Sequence, residues 1–234
     1  MGKCLFLRKG ETHTAPISGI LASDLAVGSI VKLNENGTAV EYMVVHQGLP
    51  SSMYDASCNG TWLLRKDCYS RSAWHSSDSN SYIGSTIHSY LNNTFLNVFD
   101  EELKSIIKKV EVPYYYKGSI MSVSCSAFLL SGYEIGFNQS VSPVFPIDGA
   151  ILSYFVSGDT SSARNKRICK YNGSTIAWWT RSADTSNSGR AWGVTILGGS
   201  SVDQCSNPLG IRPALILPSN ALFDKNTLIL KGVA

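Results

Sequence analysis

The stretch from Trp178 to Pro218 limits what this chain can fold into more than any other. It opens with Trp178-Trp179-Thr180-Arg181-Ser182 and closes with Gly210-Ile211-Arg212-Pro213-Ala214-Leu215-Ile216-Leu217-Pro218. Each tryptophan buries about 150–250 Å² when packed, and a guanidinium beside an apolar run needs a carboxylate or carbonyl partner. Both ends are therefore expected to be core strands, with Arg212 paired or bonded to backbone carbonyls. The middle, Ala183 to Leu209, is almost wholly small and polar. Within it, residues 191–197 alternate so that Trp192, Val194 and Ile196 share a core face, while Gly193, Thr195 and Leu197 face away. Gly198-Gly199-Ser200-Ser201 supplies a turn, because paired glycines reach the positive φ that tight turns need. The expected order is strand, loop, strand, turn, second loop and closing strand. The strands of the 190s and of 211–217 are expected in one twisted, mainly antiparallel sheet.

The rest of the chain reads as an α+β domain. Ser29 to Leu33, Asn36-Gly37 and Thr38 to His46 form the clearest hairpin, since Asn-Gly between β-rich runs is a strong two-residue-turn signal. Thr61 to Lys66 is a further strand, and Arg71 to Tyr82 a Ser/Asp/Asn loop holding Trp74 and His75. Two helices are expected between about residues 84 and 111. Ser85 caps the first, with Ile87, Tyr90, Leu91 and Phe95 on one face. Asp100 caps the second, with Leu103, Ile106, Ile107 and Val110 on one face and Pro113 as its stop. Val112 to Tyr116 returns as a strand, Met121 to Leu130 is a strand or pair of strands, and Ser131 to Phe137 is a short helical turn. Residues 1–28 read as an N-terminal arm or edge segment, and residues 29–234 as one domain.

The frame W-W-x-R-S, a polar middle with A-W-x-V, and G-[IV]-R-P-A-L-I-L resembles the C-terminal module of C-type-lectin-fold proteins of gut bacteria and phages. These include the variable proteins of diversity-generating retroelements and, more distantly, formylglycine-generating-enzyme-like proteins. The resemblance extends back through Phe128-Leu129-Leu130-Ser131-Gly132-Tyr133-Glu134-Ile135-Gly136 and the segment near 85–110, covering about residues 40–220. It implies a C-type-lectin-like fold that brings early and late chain together, with 178–218 as its display region. It also implies diversification at template adenines, a process that never yields Trp, Met, Lys, Glu or Gln from Asn codons. Lys, Glu and Met together number 23 of 234 residues, so about three are expected in residues 180–209, and none occurs there. Trp192 and Gln204 would then be fixed scaffold. The Glu-Pro-Asn, Gln-Pro-Asp and Trp-Asn-Asp triplets of calcium-dependent sugar binding are absent; Ser206-Asn207-Pro208 only echoes them.

The net charge of +3, with scattered Lys and Arg, does not suit nucleic acid. Lys108-Lys109 and Arg164 to Lys170 are locally basic and read as solvated faces. No run of about 20 apolar residues offers a membrane span. His13, His46, His75 and His88 show no metal-ligand spacing, and no metal or cofactor is expected. The chain has no GxSxG, P-loop or GxGxxG. Six cysteines, at 4, 58, 68, 125, 169 and 205, include no CxxC pair. Cys58 and Cys68 suit either closure of a hairpin-like loop or, in a reducing compartment, free thiols. Cys205 lacks a basic neighbour in sequence to lower its pKa. Met1 to Leu7 is too short for an export signal, so synthesis in a cytoplasm is expected, with virion association as one destination.

The function expected is ligand binding without catalysis. The ligand is a protein or cell-surface macromolecule and the display region the contact surface. The contact residues expected are Asp184, Thr185, Ser186, Asn187, Ser188, Arg190, Thr195, Leu197, Ser200, Ser201, Asp203, Cys205, Ser206, Asn207 and Leu209. Arg190, Thr195 and Leu197 are placed on the face opposite Trp192, as one patch with anchors at its centre. Homo-oligomerisation suits such a protein. The alternative is a structural or assembly module of a phage tail or surface structure.

Overall fold

Asn36 and Gly37 take φ values of 48° and 78°, the positive angles of a two-residue hairpin turn, and the strands on either side pair in the expected register. The computed structural model describes residues 19–234. The first part of the expected arm, residues 1–18 with Cys4 and His13, lies outside the described residues. Residues 19–28 pack on the core through Ala22 and Leu25, whose carbonyls accept from Gln47.

In chain order the strands are β1 (Ile20–Leu21), β2 (Ile30–Glu35), β3 (Thr38–Gly48), β4 (Gly60–Arg65) and β5 (Ser70–Ala73). Helices α1 (Thr86–Asn93) and α2 (Glu101–Ile106) follow, then the hairpin β6 (Val110–Tyr116) and β7 (Ser119–Cys125). After a long irregular segment come α3 (Ser161–Arg167) and the small hairpin β8 (Cys169–Tyr171) and β9 (Ser174–Ile176). The chain ends with β10 (Trp178–Ala183), β11 (Arg190–Val194), β12 (Ser200–Gln204), β13 (Pro208–Ile211), β14 (Ala214–Leu217), β15 (Ala221–Phe223) and β16 (Leu230–Val233). The result is a mostly-sheet α+β protein with open, chiefly antiparallel sheets.

Three sheets of three to five strands carry much of the core, to which the β6–β7 hairpin adds Val110, Val112, Tyr114, Val123 and Cys125. One runs β14-β4-β3-β2, the second β12-β11-β10-β13-β5 and the third β1-β15-β16. Early strands pair with late ones in all three: β4 with β14, β5 with β13 and β1 with β15. The expectation of one sheet for the 190s and 211–217 is corrected: β11 and β13 lie in the five-stranded sheet and β14 in the four-stranded one. The chain changes sheets at Arg212-Pro213. There Arg212 donates from Nε to Arg65 O and from Nη2 to Lys66 O, both at 2.9 Å, and its guanidinium stands 5.2 Å from the Trp178 ring centroid. Arg65 N donates in turn to Pro213 O. The expected carbonyl partners of Arg212 are therefore present, and they clamp the crossover.

Both expected helix caps form, Ser85 Oγ accepting from His88 N and Asp100 Oδ1 from Leu103 N. The second helix is shorter than its periodicity predicts. Val110 and Pro113 belong to β6, where the missing Pro113 N–H is no defect because, among the described residues, β6 pairs only with β7. A third helix, α3, was not expected. The basic run that it carries is no uniform solvated face: Arg167 is fully buried and donates to the carbonyls of Ile135, Val156, Gly158 and Gly198. Burial holds its guanidinium down at about 10, with Asp159 opposing the shift.

Strand β10 is buried at every residue. Trp178 and Trp179 are fully enclosed, their indole N–H groups donating to Arg167 O and Ser72 O. Arg181, also fully buried, grips Glu134 of the 131–136 turn at 2.5 and 2.7 Å and donates to Pro113 O and Leu129 O. Tyr54 donates to the same carboxylate. Beside them Ser182 Oγ donates to Asp148 Oδ2 at 2.7 Å, while Asp148 Oδ1 is buried with no partner. Burial pushes the Asp148 carboxyl up to about 6, against the nearby charge of Arg181.

Candidate functional site

Strand β12 is the edge of the five-stranded sheet, paired residue for residue with β11 from Arg190↔Gln204 to Val194↔Ser200. Four residues at about 3.3 Å each separate the two ends by about 13 Å. The loop 184–189 and the turn 205–207 lie at the first end, and the turn 195–199 lies at the other. The expected contact residues therefore fall into two end groups joined by the half-buried edge of β12.

At the far end Thr195 N donates to Gly199 O, and Thr195 Oγ1 accepts from Gly199 N. This local closure ends the strand at Val194. Ile196, expected in the core, is 51% exposed, and Leu197 is 68% exposed. The turn is fixed from behind, since a Cβ on Gly198 (φ 80°) would collide with the Arg164 carbonyl. Arg190 is also corrected: with β11 regular from 190 to 194, it shares the side of Trp192 and Val194, and it is exposed because it lies past the end of the core.

The near end holds a built loop. Asn80, 8% exposed, donates from Nδ2 to the carbonyls of Asp184, Asn187 and Arg190 at 2.9, 3.0 and 2.9 Å, and Ser188 O accepts from its backbone N–H. Asp184 Oδ1 accepts from Ser186 N and Oγ, Asn187 Oδ1 from Gly189 N, and Thr185 Oγ1 donates to Val144 O. Such Asx turns fix a backbone without help from a sheet. Thr185, Ser186, Asn187 and Ser188 consequently present exposed side chains on a backbone that is already bonded.

Opposite this loop stands the tip of the β6–β7 hairpin, where Lys117 (φ 47°) and Gly118 (φ 86°) make the turn. Tyr115 and Lys117 line an open cleft of about 160 Å³ with Asn80 and residues 184–188. Lys117 Nζ sits 5.2 Å from the Tyr116 ring centroid. The cleft offers a cation, an aromatic ring, an amide and several hydroxyls, which suits recognition by hydrogen bonding around an aromatic contact.

Two expected contact residues are corrected by burial. Asp184 is 6% exposed and spends its carboxylate on the loop. Cys205 is fully buried, and burial, with Asp78 and Asp184 adding to it, pushes its thiol up to about 12, which disfavours the thiolate. Its backbone carries structure instead, donating to Gly189 O and accepting from His75 N. Ser206 and Asn207 are exposed beside it, and Ser206 donates to Asp78. Ser200, Ser201, Asp203 and Leu209 are half-buried in β12 and β13. Asn80, Tyr115 and Lys117 were not anticipated. Lys117-Gly118 after three tyrosines is a legible turn signal, whereas nothing local marks Asn80.

Asn80→Ala is expected to cost about 2–3 kcal/mol, since three loop carbonyls lose one shared donor. Amide exchange at Gly189 and Arg190, whose N–H groups bond within the loop, should accelerate at least about tenfold. Unchanged protection of those amides would show that the loop holds itself.

A family model described as Domain of unknown function (DUF6273) matches residues 59–219. No curated protein and no solved structure matches the chain.

Proposed function

The chain belongs to the DUF6273 family, whose match takes in the whole of the cleft, and from that premise we propose that it is a ligand-binding protein. Its contact surface is the near end of the β11–β12 edge: Thr185, Ser186, Asn187 and Ser188, with Tyr115 and Lys117 across the cleft. One observation carries this reading. Four adjacent polar side chains stand exposed on a loop that a single buried amide, Asn80, holds at three carbonyls. A loop ordered before contact loses little entropy on binding, and recognition surfaces gain affinity by that route. The scaffold is proposed as C-type-lectin-like and the surface as the diversified kind, presented to a protein or cell-surface macromolecule. A near-repeat of the segment encoding residues 178–215, differing at adenines and lying beside a reverse transcriptase gene, would mark diversification.

The direct test compares the full chain with two variants on immobilised bacterial envelope proteins and on a glycan array. Thr185→Ala/Ser186→Ala/Asn187→Ala/Ser188→Ala is expected to weaken any binding at least tenfold. Ile196→Ala/Leu197→Ala, at the far turn, should leave it intact. The reverse pattern would move the function to the far turn and favour the second reading, an assembly module. That reading rests on Ile196 and Leu197, two large apolar side chains exposed side by side.

A further inference from the structure

Cys68 and Cys169 are 101 positions apart in sequence, yet their Sγ atoms meet at 2.8 Å, inside the contact distance of two sulfurs. Both are buried, at 4% and 2% exposure. Cys68 lies in the connection between β4 and β5, and Cys169 opens β8. The two segments are joined by Cys68 N donating to Lys170 O at 2.8 Å. Gly210 packs against the pair, for a Cβ there would come within 2.8 Å of the Cys68 sulfur. The five described cysteines include no other pair in sulfur contact. Of the two readings of Cys58 and Cys68, the structure has the free thiols and not the closed loop, and Cys58 donates to Glu111 O.

We propose that Cys68 and Cys169 form a reversible dithiol–disulfide site that latches the β8–β9 hairpin to the β4–β5 connection. A cation stands beside the pair. Cys169 Sγ and the Arg212 guanidinium converge on the same acceptor, Lys66 O, at 4.0 and 2.9 Å. Burial raises both thiols, and the charge of Arg212 draws both down. Either sulfur can donate to the other, so a thiolate on one is held by the S–H of its neighbour. One sulfur therefore attacks and the other resolves.

Access comes from the hairpin itself. Among the described residues β8 and β9 form a ladder only with each other, tied to the β4–β5 connection by the Cys68 N–Lys170 O bond, and a two-stranded hairpin with so few outside bonds opens locally at low cost. The oxidant is a small disulfide such as oxidised glutathione. One of the two protein sulfurs, as thiolate, attacks one sulfur of this oxidant, forming a mixed disulfide and releasing one thiolate. The other protein thiol then loses its proton, attacks the protein sulfur of the mixed disulfide and releases the second thiol. Two protein thiols are oxidised by two electrons as one small disulfide is reduced to two thiols.

The test equilibrates the full, folded chain with oxidised glutathione, quenches it in acid, alkylates the remaining thiols and maps the peptides by mass. A linked Cys68–Cys169 peptide is expected, with Cys58, Cys125 and Cys205 alkylated. The oxidised form should melt about 10 °C above the reduced one, a difference that dithiothreitol removes. Cys68→Ser and Cys169→Ser should each stop the reaction at the mixed disulfide, with glutathione trapped on the cysteine that remains. The proposal is overturned if Cys68 and Cys169 of the wild-type chain are both still alkylated after the oxidising incubation, or if the bridge joins another pair. That measurement needs no variant to fold.

Discussion

Arg181→Ala is expected to lower the unfolding free energy by about 3–5 kcal/mol, the cost of leaving the other half of a buried pair without its counter-charge. The effect is large because both members are fully enclosed and the guanidinium serves several groups at once: both oxygens of Glu134 and the carbonyls of Pro113 and Leu129. These partners come from β6, from the stretch before the 131–136 turn and from the turn itself, so one side chain on β10 holds three other segments in place. In urea the midpoint should fall without a change of slope. In a thermal scan the loss corresponds to about 6–20 °C. Arg181→Met/Glu134→Leu, which removes both charges, should recover most of the loss. A single variant as stable as the wild type would mean that water reaches Glu134 and that the pair is not sealed.

The second large effect is one of pH. Asp148 titrates near 3.8 when unfolded and is pushed up to about 6 in the fold by burial. Between those values the folded chain holds a proton that the unfolded chain lacks. The stability that this proton gives is complete below about pH 4 and is lost as pH rises through 6. Above that, the fold carries a buried charge that costs about 3 kcal/mol. His46 and His88 act in the opposite sense, because burial holds both below the usual imidazole value and the fold loses stability as they become charged at falling pH. The wild type must therefore be read against Asp148→Asn, whose carboxamide cannot ionise. From pH 7.5 to pH 5 the wild type is expected to gain about 1–2 kcal/mol relative to the variant. A stability difference that stays flat over that range would remove Asp148 as the titrating group.

Features set by near neighbours were legible in the sequence. Asn36-Gly37, Ser85 and Asp100 each act within four residues of themselves, and each does what its type predicts. The apolar run 214–217 and the Trp178-Trp179 pair were legible as core because no exposed position suits them. Features set from a distance were not legible. Strand β12 has one apolar residue, Val202, and reads as a loop; it is an edge strand with every residue half-buried. The alternation through Ile196 failed because Thr195 is captured by Gly199, which a period-two count does not register. Arg190 was legible and misplaced, for alternation by itself sets 190 on the side of 192 and 194; its exposure comes from its position at the strand end. The contact loop itself was anticipated, but Asn80, which shapes it, receives its partners from more than 100 positions away. Arg167 was read as solvated because a basic run gives no sign of which member turns inward.

The pairing of β4 with β14 has a consequence for the chain as it is made. Leu64 must wait for Ala214, which a ribosome adding about 5–20 residues per second delivers about 8–30 s later. During that interval one edge of the β2–β3–β4 meander stays open, with Trp62, Leu63 and Leu64 lacking the strand that covers them. Sheets closed by such distant partners assemble slowly, and unpaired apolar edges are where nascent chains stick to one another. Synthesis of this protein is therefore expected to depend on chaperone occupancy of β4 more than on anything in the display loops. Yield should rise when translation is quick and fall when it is slowed between codons 65 and 214.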